Sequence, residues 1–154
     1  MKAFIITGTS SGIGRELTEM LLQDENHRVI GISRTQKINH PNYQHITLDL
    51  NDVADIEMLE FPEWKNAAQI TLIHNAGWVG PIQKIGNQQM GAIAASYLIN
   101  LVAPAILTNH FIANFKPSTA QKVILSIGSG ASNSAIEGWN TYCSSKAGLA
   151  MLSK

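Results

Sequence analysis

The sequence predicts an α/β fold in which helices cover both faces of a doubly wound parallel sheet. Two observations carry the prediction. Short apolar runs of strand length alternate along the chain with segments of helical periodicity. The first of these runs passes through a glycine-rich turn directly into a helical pattern. Right-handed crossovers then make successive strands parallel. The 154 residues, 45% apolar and 14% charged, are enough for one domain (1–154) with a substantial core. No repeat, low-complexity tract or linker divides them.

Lys2–Thr7 is an apolar run closed by Thr-Gly and reads as a buried strand. Arg15–Gln23 sets Leu17, Met20 and Leu21 at helical spacing. Arg28–Ser33 is the second strand, and after a polar, proline-containing loop Ile46–Leu50 is the third. Asn51 and Asp52 are suited to cap a short helix holding Val53, Ile56 and Leu59. Gln69–His74 is the fourth strand. The segment from about Gln88 to Phe115 is helical and apolar, with Pro104 expected to kink it or mark a boundary. Lys122–Ile127 is the fifth strand, and a Gly/Ser/Asn-rich loop leads to a helix near Tyr142.

Composition excludes several functions. Eleven basic residues balance eleven acidic ones, so there is no electrostatic footprint for nucleic acid or anionic lipid. A single Cys143 permits no internal disulfide, and the five histidines fall at no metal-ligand spacing, so no metal is expected. The N-terminal apolar run is too short for a signal peptide, and no stretch reaches about 20 apolar residues free of polar interruption. A cytoplasmic protein with no membrane partner is the default expectation.

The turn Thr7-Gly8-Thr9-Ser10-Ser11-Gly12-Ile13-Gly14 lies between the first strand and the first helix. Glycines there let the backbone approach a pyrophosphate, and the helix N-terminus presents free N–H groups and a positive dipole end. A merely flexible turn is the alternative; the position between strand and helix favours the phosphate cradle. At the end of the second strand, enzymes using NAD place a carboxylate on the ribose hydroxyl, which a 2′-phosphate would repel. Ser33 stands at that position and Arg34 follows, a guanidinium suited to a phosphate. A solvated arginine at a strand end is the alternative; beside the phosphate turn, NADP(H) is favoured.

The TGxxxGxG spacing of that turn resembles the short-chain dehydrogenase/reductase family, and the resemblance runs along the whole chain. His74-Asn75-Ala76-Gly77 is similar to its NNAG element, and Asp49-Leu50 to its adenine-contacting position. Asn100, Ser129, Tyr142 and Lys146 fall where its catalytic residues stand. The resemblance implies a Rossmann-like sheet in the order 3-2-1-4-5 and an NADPH-dependent reduction of a small-molecule carbonyl. Tyr142 and Lys146, in YxxxK spacing, share a helix face one turn apart. An ammonium there stabilises a phenolate, so Tyr142 is expected to protonate the carbonyl oxygen as hydride arrives. Lys146 is also implied to hold the nicotinamide ribose.

Ser129, in Ser126-Ile127-Gly128-Ser129, resembles the family's ISS element with Gly128 in place of its first serine, and is expected to orient the carbonyl. Ser126, Ser132 and Ser134 are nearby rivals. Asn100 is implied in a water relay behind the lysine, though a polar residue in an apolar helix equally suits buried backbone. Cys143 as a nucleophile lacks a neighbouring histidine in its motif. Two phrases, Asn75–Ile82 and Gly138–Gly148, resemble the branch containing sepiapterin and benzil reductases, which reduce one carbonyl of a vicinal dicarbonyl. Trp78 and Trp139 suit an aromatic wall for such substrates, or simple packing.

By the same resemblance the chain is expected to stop before the sixth and seventh strands and the Pro-Gly element that closes over the nicotinamide. An active reductase of which this is the front part and a nucleotide-binding module without efficient turnover are the two functional expectations. Relatives pair the helices around Asn100 and after Tyr142, implying a homodimer or homotetramer. Val123-Ile124-Leu125 on a bare sheet edge favours self-association as well.

Overall fold

The computed structural model describes residues 1–154. Five strands form one parallel sheet: β1 (Lys2–Thr7), β2 (His27–Ser33), β3 (Tyr43–Thr47), β4 (Gln69–His74) and β5 (Gln121–Ser126). Their order is β3-β2-β1-β4-β5, with Ile5 level with Ile30 on one side and Leu72 on the other. β1 and β4 are buried along nearly their whole length, which is why they read as unbroken apolar runs.

The two-residue period of the strands sorts the core into two layers. Ala3, Ile5, Ile30, Ile32, Ile70 and Leu72 face helix α2 (Val53–Glu57) and the long second half of the Met90–Phe115 helix. Phe4, Ile6, Val29 and Ile73 face helix α1 (Gly12–Leu21), where Leu17, Leu21 and Leu22 meet them. Asp52 caps α2 as expected, its carboxylate accepting the Ala54 and Asp55 N–H groups at 3.0 and 3.3 Å.

Three boundaries differ from the sequence expectations. The third strand is Tyr43–Thr47 rather than Ile46–Leu50. Tyr43 through Thr47 pair with Val29 through Ser33, and Leu48 and Leu50 leave the ladder to be buried by packing. Edge pairing, not apolar content, sets this strand. The first helix starts at Gly12 instead of Arg15, so Gly12 and Gly14 belong to its first turn. The last helix, α5 (Asn140–Leu152), starts two residues before Tyr142; it is numbered after α3 (Met90–Tyr97) and α4 (Ala103–Phe115).

The expected boundary at Pro104 takes a specific form. Between α3 and α4 lies a π-helical turn, Leu98–Val102, in which the Ala103 N–H donates to the Leu98 carbonyl five residues back. Pro104 has no N–H for the Asn100 carbonyl and its ring crowds that carbonyl, which a widened turn accommodates. By length and composition the continuous helix Met90–Phe115 could cross a membrane, although Ser96, Asn100, Asn109, His110 and Asn114 interrupt its apolar residues. Ala103, Leu107, Phe111 and Phe115 nonetheless place one of its faces in the sheet core.

Candidate active site

A cleft of about 590 Å³ opens at the C-terminal ends of β1, β2 and β4. Open parallel sheets form such crevices where neighbouring connections run to opposite faces, here between β1 and β4. Its floor is the turn after β1. Gly8 has φ +76°, and its N–H donates to the Ile32 carbonyl at 2.8 Å. A Cβ at Gly14 would run into the Gly8 carbonyl oxygen and the Asn75 amide, so the turn folds this tightly only with glycine there.

The turn is locked from the end of β4. The Thr7 hydroxyl accepts the N–H groups of Asn75 and Ala76 at 3.1 and 3.0 Å. The Asn75 amide donates to the Thr7 and Gly8 carbonyls at 2.9 and 3.3 Å. Asn75 therefore borders the cleft while spending its amide protons on the turn. At the start of α1, Ser11 makes no side-chain cap and no acidic residue stands in the first turn. The first N–H groups of that helix therefore have no side-chain cap from the protein.

Most of the expected cofactor positions border this cleft: Gly8, Ser10, Ser11 and Ile13 of the turn, Ser33 and Arg34 after β2, Asp49 and Leu50 after β3, and Asn75, Ala76 and Gly77 after β4. Gly12, exposed with φ +54°, and Gly14, packed on the Gly8 carbonyl, do not border it. Sequence reasoning missed Ala95 and Ile99, which close one wall from the long helix, and left Trp78 open between packing and site; it borders the cleft.

The expected catalytic residues gather beyond the Gly77 end. A Cβ at Gly77 would lie 3.3 Å from Lys146 Nζ and 3.5 Å from Asn100 Oδ1, so both reach the back of that glycine. Asn100 is fully buried. Its Oδ1 accepts the Trp78 N–H at 2.8 Å, and its Nδ2 donates to the Trp78 carbonyl at 2.8 Å and to Ser145 Oγ at 3.1 Å. Of the two readings of Asn100, satisfaction of buried backbone is the one these bonds describe.

Lys146 is 4% exposed, and its Nζ donates to the Ile127 carbonyl at 3.1 Å. Burial pushes its ammonium down from the ordinary lysine range. The same Nζ lies 5.9 Å from the centre of the Tyr142 ring, which meets Trp139 edge-on at 5.5 Å. Ser129 Oγ accepts the Ala131 N–H at 3.2 Å and so caps the 3₁₀ turn Gly130–Ser132 that packs on α5. Accepting leaves its own proton to donate, whereas the rival Ser132 spends its proton on the Ser129 carbonyl at 2.7 Å.

His74 is buried, its Nε2 2.8 Å from Thr108 Oγ1 and its Nδ1 without a partner. Burial lowers its pKa to about 4, so it is neutral near pH 7.

A family model described as short chain dehydrogenase matches residues 2–154. The chain belongs to the short chain dehydrogenase family. Two benzil reductases that form (S)-benzoin, from Bacillus subtilis and Bacillus cereus, are each 34% identical to it over the whole of this chain. The chain spans 65% and 67% of their respective lengths. Among solved structures, a short-chain dehydrogenase/reductase from Burkholderia vietnamiensis superposes with a TM-score of 0.82 at 28% identity, covering 96% of this chain and 72% of that one. The sheet order and helical layers are those of this short chain dehydrogenase fold.

Proposed function

We propose that this short chain dehydrogenase is an NADPH-dependent carbonyl reductase of the cytoplasm, acting on a ketone such as one carbonyl of a vicinal dicarbonyl, for which benzil or a sepiapterin-like compound is the type. The observation that carries the reading is the buried Lys146, whose Nζ reaches the back of Gly77 at the rim of the cleft and lies 5.9 Å from the Tyr142 ring. The residues present fit the cofactor. Gly8, Ser10 and Ser11 of the turn line the cleft together with Ser33 and Arg34, and the start of α1 is uncapped.

In this reading the turn Gly8–Gly14 holds the pyrophosphate, Ser33 and Arg34 the 2′-phosphate, and Asp49 and Leu50 the adenine. Ala76 and Gly77 border the ribose, and Lys146 binds its hydroxyls. NADPH, when bound, supplies the hydride. Ser129 donates to the carbonyl oxygen and fixes its direction, and Tyr142 delivers the proton to that oxygen. Lys146 stabilises the phenolate left behind, and Asn100 stands behind the lysine where a water relay would run. Trp78 and Trp139 give the substrate an aromatic surface, in keeping with the benzil reductase names of the relatives.

Exposed Met90, Ile112, Met151 and Leu152 on the long helix and α5, with Leu125 on the β5 edge, support a homodimer or homotetramer. The deciding experiment is NADPH oxidation with benzil, followed at 340 nm, with light scattering on the same sample. Benzil-dependent turnover that vanishes in Tyr142→Phe supports the reductase. Cofactor binding without turnover turns the reading to a nucleotide-binding module.

A further inference from the structure

β2 carries glycine at its centre, where a strand ordinarily gains from a side chain. A Cβ at Gly31 would run into the Tyr43 hydroxyl and come within 2.5 Å of Thr9 Oγ1. The gap is therefore filled: Tyr43, from the edge strand β3, lays its ring across β2 and reaches the turn after β1. Its Oη is 3.0 Å from Thr9 Oγ1, and Thr9 is 1% exposed. Thr9 Oγ1 is in turn 3.4 Å from Ser33 Oγ, and Tyr43 Oη is 3.2 Å from His45 Nδ1.

When all four contacts of this chain, including that from Ser33 to the Thr35 carbonyl, are made at once, the protons have one order. Ser33 Oγ donates to the Thr35 carbonyl at 3.0 Å, which uses its only proton. Thr9 must then donate to Ser33, Tyr43 to Thr9, and His45 Nδ1 to Tyr43. His45 Nε2, without a partner, is then the unprotonated nitrogen of a neutral ring. Burial holds that imidazole below the ordinary histidine range and pushes the Tyr43 phenol up, so both states persist near neutral pH.

We infer that Tyr43 is a specificity-determining positioning residue, which through Thr9 keeps the Ser33 hydroxyl proton turned outward to the loop that carries Arg34, where a 2′-phosphate would accept it. Without the Tyr43 hydroxyl, Thr9 loses its donor and the Thr9–Ser33 pair is free to invert. Ser33 then donates inward to Thr9 and offers the phosphate only lone pairs. A cofactor lacking the 2′-phosphate makes no use of that proton. The inference rests on the NADP reading above but concerns a residue outside the cleft.

The test is calorimetric binding of NADPH, NADH, 2′,5′-ADP and 5′-AMP to the protein and to two variants. Tyr43→Phe keeps the ring over Gly31 and removes one oxygen; Thr9→Val keeps the branched shape and removes the relay. Tyr43→Phe is expected to weaken NADPH and 2′,5′-ADP about threefold to tenfold, the scale of one hydrogen bond, and NADH and 5′-AMP by less than about twofold. Thr9→Val removes the inward acceptor of Ser33, so it is expected to leave NADPH within about twofold, and the double variant is expected to recover the affinity that Tyr43→Phe loses. In Tyr43→Phe, equal weakening of all four ligands or an unchanged NADPH/NADH ratio overturns the inference while the NADP reading stands. A wild-type protein with no preference for NADPH defeats that reading, and the inference falls with it. Thermal melting of each variant identifies one that fails to fold; should Tyr43→Phe do so, Thr9→Val carries the test, and a selective loss of NADPH there overturns the inference.

Discussion

The cofactor cradle and the catalytic corner are built on different principles. The cradle sits over β1, β2 and β4, the interior of the sheet, and its shape is set mainly by backbone, a tight turn and a Gly8–Ile32 hydrogen bond, with the Asn75 side chain clamped on the Thr7 and Gly8 carbonyls. The corner sits over β5, an edge strand with half-exposed residues, and is held by side chains reaching between elements. Asn100 ties the long helix to Trp78, and Lys146 ties α5 to Ile127. A backbone-built site is stiff as soon as the sheet forms. A side-chain-built site depends on each individual bond, so single substitutions are expected to separate the two.

The largest effect is expected at Tyr142. Tyr142→Phe removes a proton donor and little contact area, so kcat in an active enzyme is expected to fall about 10²- to 10⁴-fold. NADPH affinity measured by titration stays within about twofold. A parallel loss of cofactor binding would break the separation of cradle and corner.

Asn100→Leu comes next, because it removes both partners of the Trp78 backbone at once. Each buried group left unpaired costs about 1–3 kcal/mol, so a loss of about 4 kcal/mol is expected in denaturant unfolding. Unchanged stability would show that the corner tolerates loss of its ties.

His74 tests how rigidly the end of β4 holds the cradle. Its folded pKa of about 4 lies below the ordinary histidine value, so the unfolded chain binds more protons between the two. Stability therefore rises with pH across roughly pH 4 to 6.5 and is lost on acidification through that window, by up to about 3 kcal/mol. His74→Asn is expected to flatten this part of the unfolding profile. A slope that survives the substitution would point to another group.

The smallest effect sharpens the cradle itself. Arg34 is exposed after β2 and lines the cleft, so Arg34→Ala is expected to weaken NADPH about ten- to a hundredfold, or about 2 kcal/mol, and leave NADH nearly unchanged. Equal losses measured for the two cofactors would mean that Arg34 does not read the 2′-phosphate.

Legibility followed the same division. The turn from Thr7 to Gly14 and the strands Lys2–Thr7 and Gln69–His74 were readable because interior strands are apolar throughout and tight turns admit few residue types. Tyr43–Thr47 was misplaced because an edge strand alternates polar residues and is set by its neighbour. Asn100 was readable as a candidate but not as the partner of Trp78, 22 positions away. Its π-helical turn was foreshadowed only by Pro104 four residues later.

By itself, the sequence determined the family and, through that resemblance, the order of the strands, because glycine spacing and short motifs act over a few residues. Tertiary structure alone decided that Ser132, and not Ser129, spends its hydroxyl proton within the loop, that Lys146 reaches the back of Gly77, and that Tyr43 crosses Gly31 to reach Thr9. Those are meetings of side chains from separate elements, and a hydrogen bond depends on tenths of an ångström that only the packed sheet and helices set.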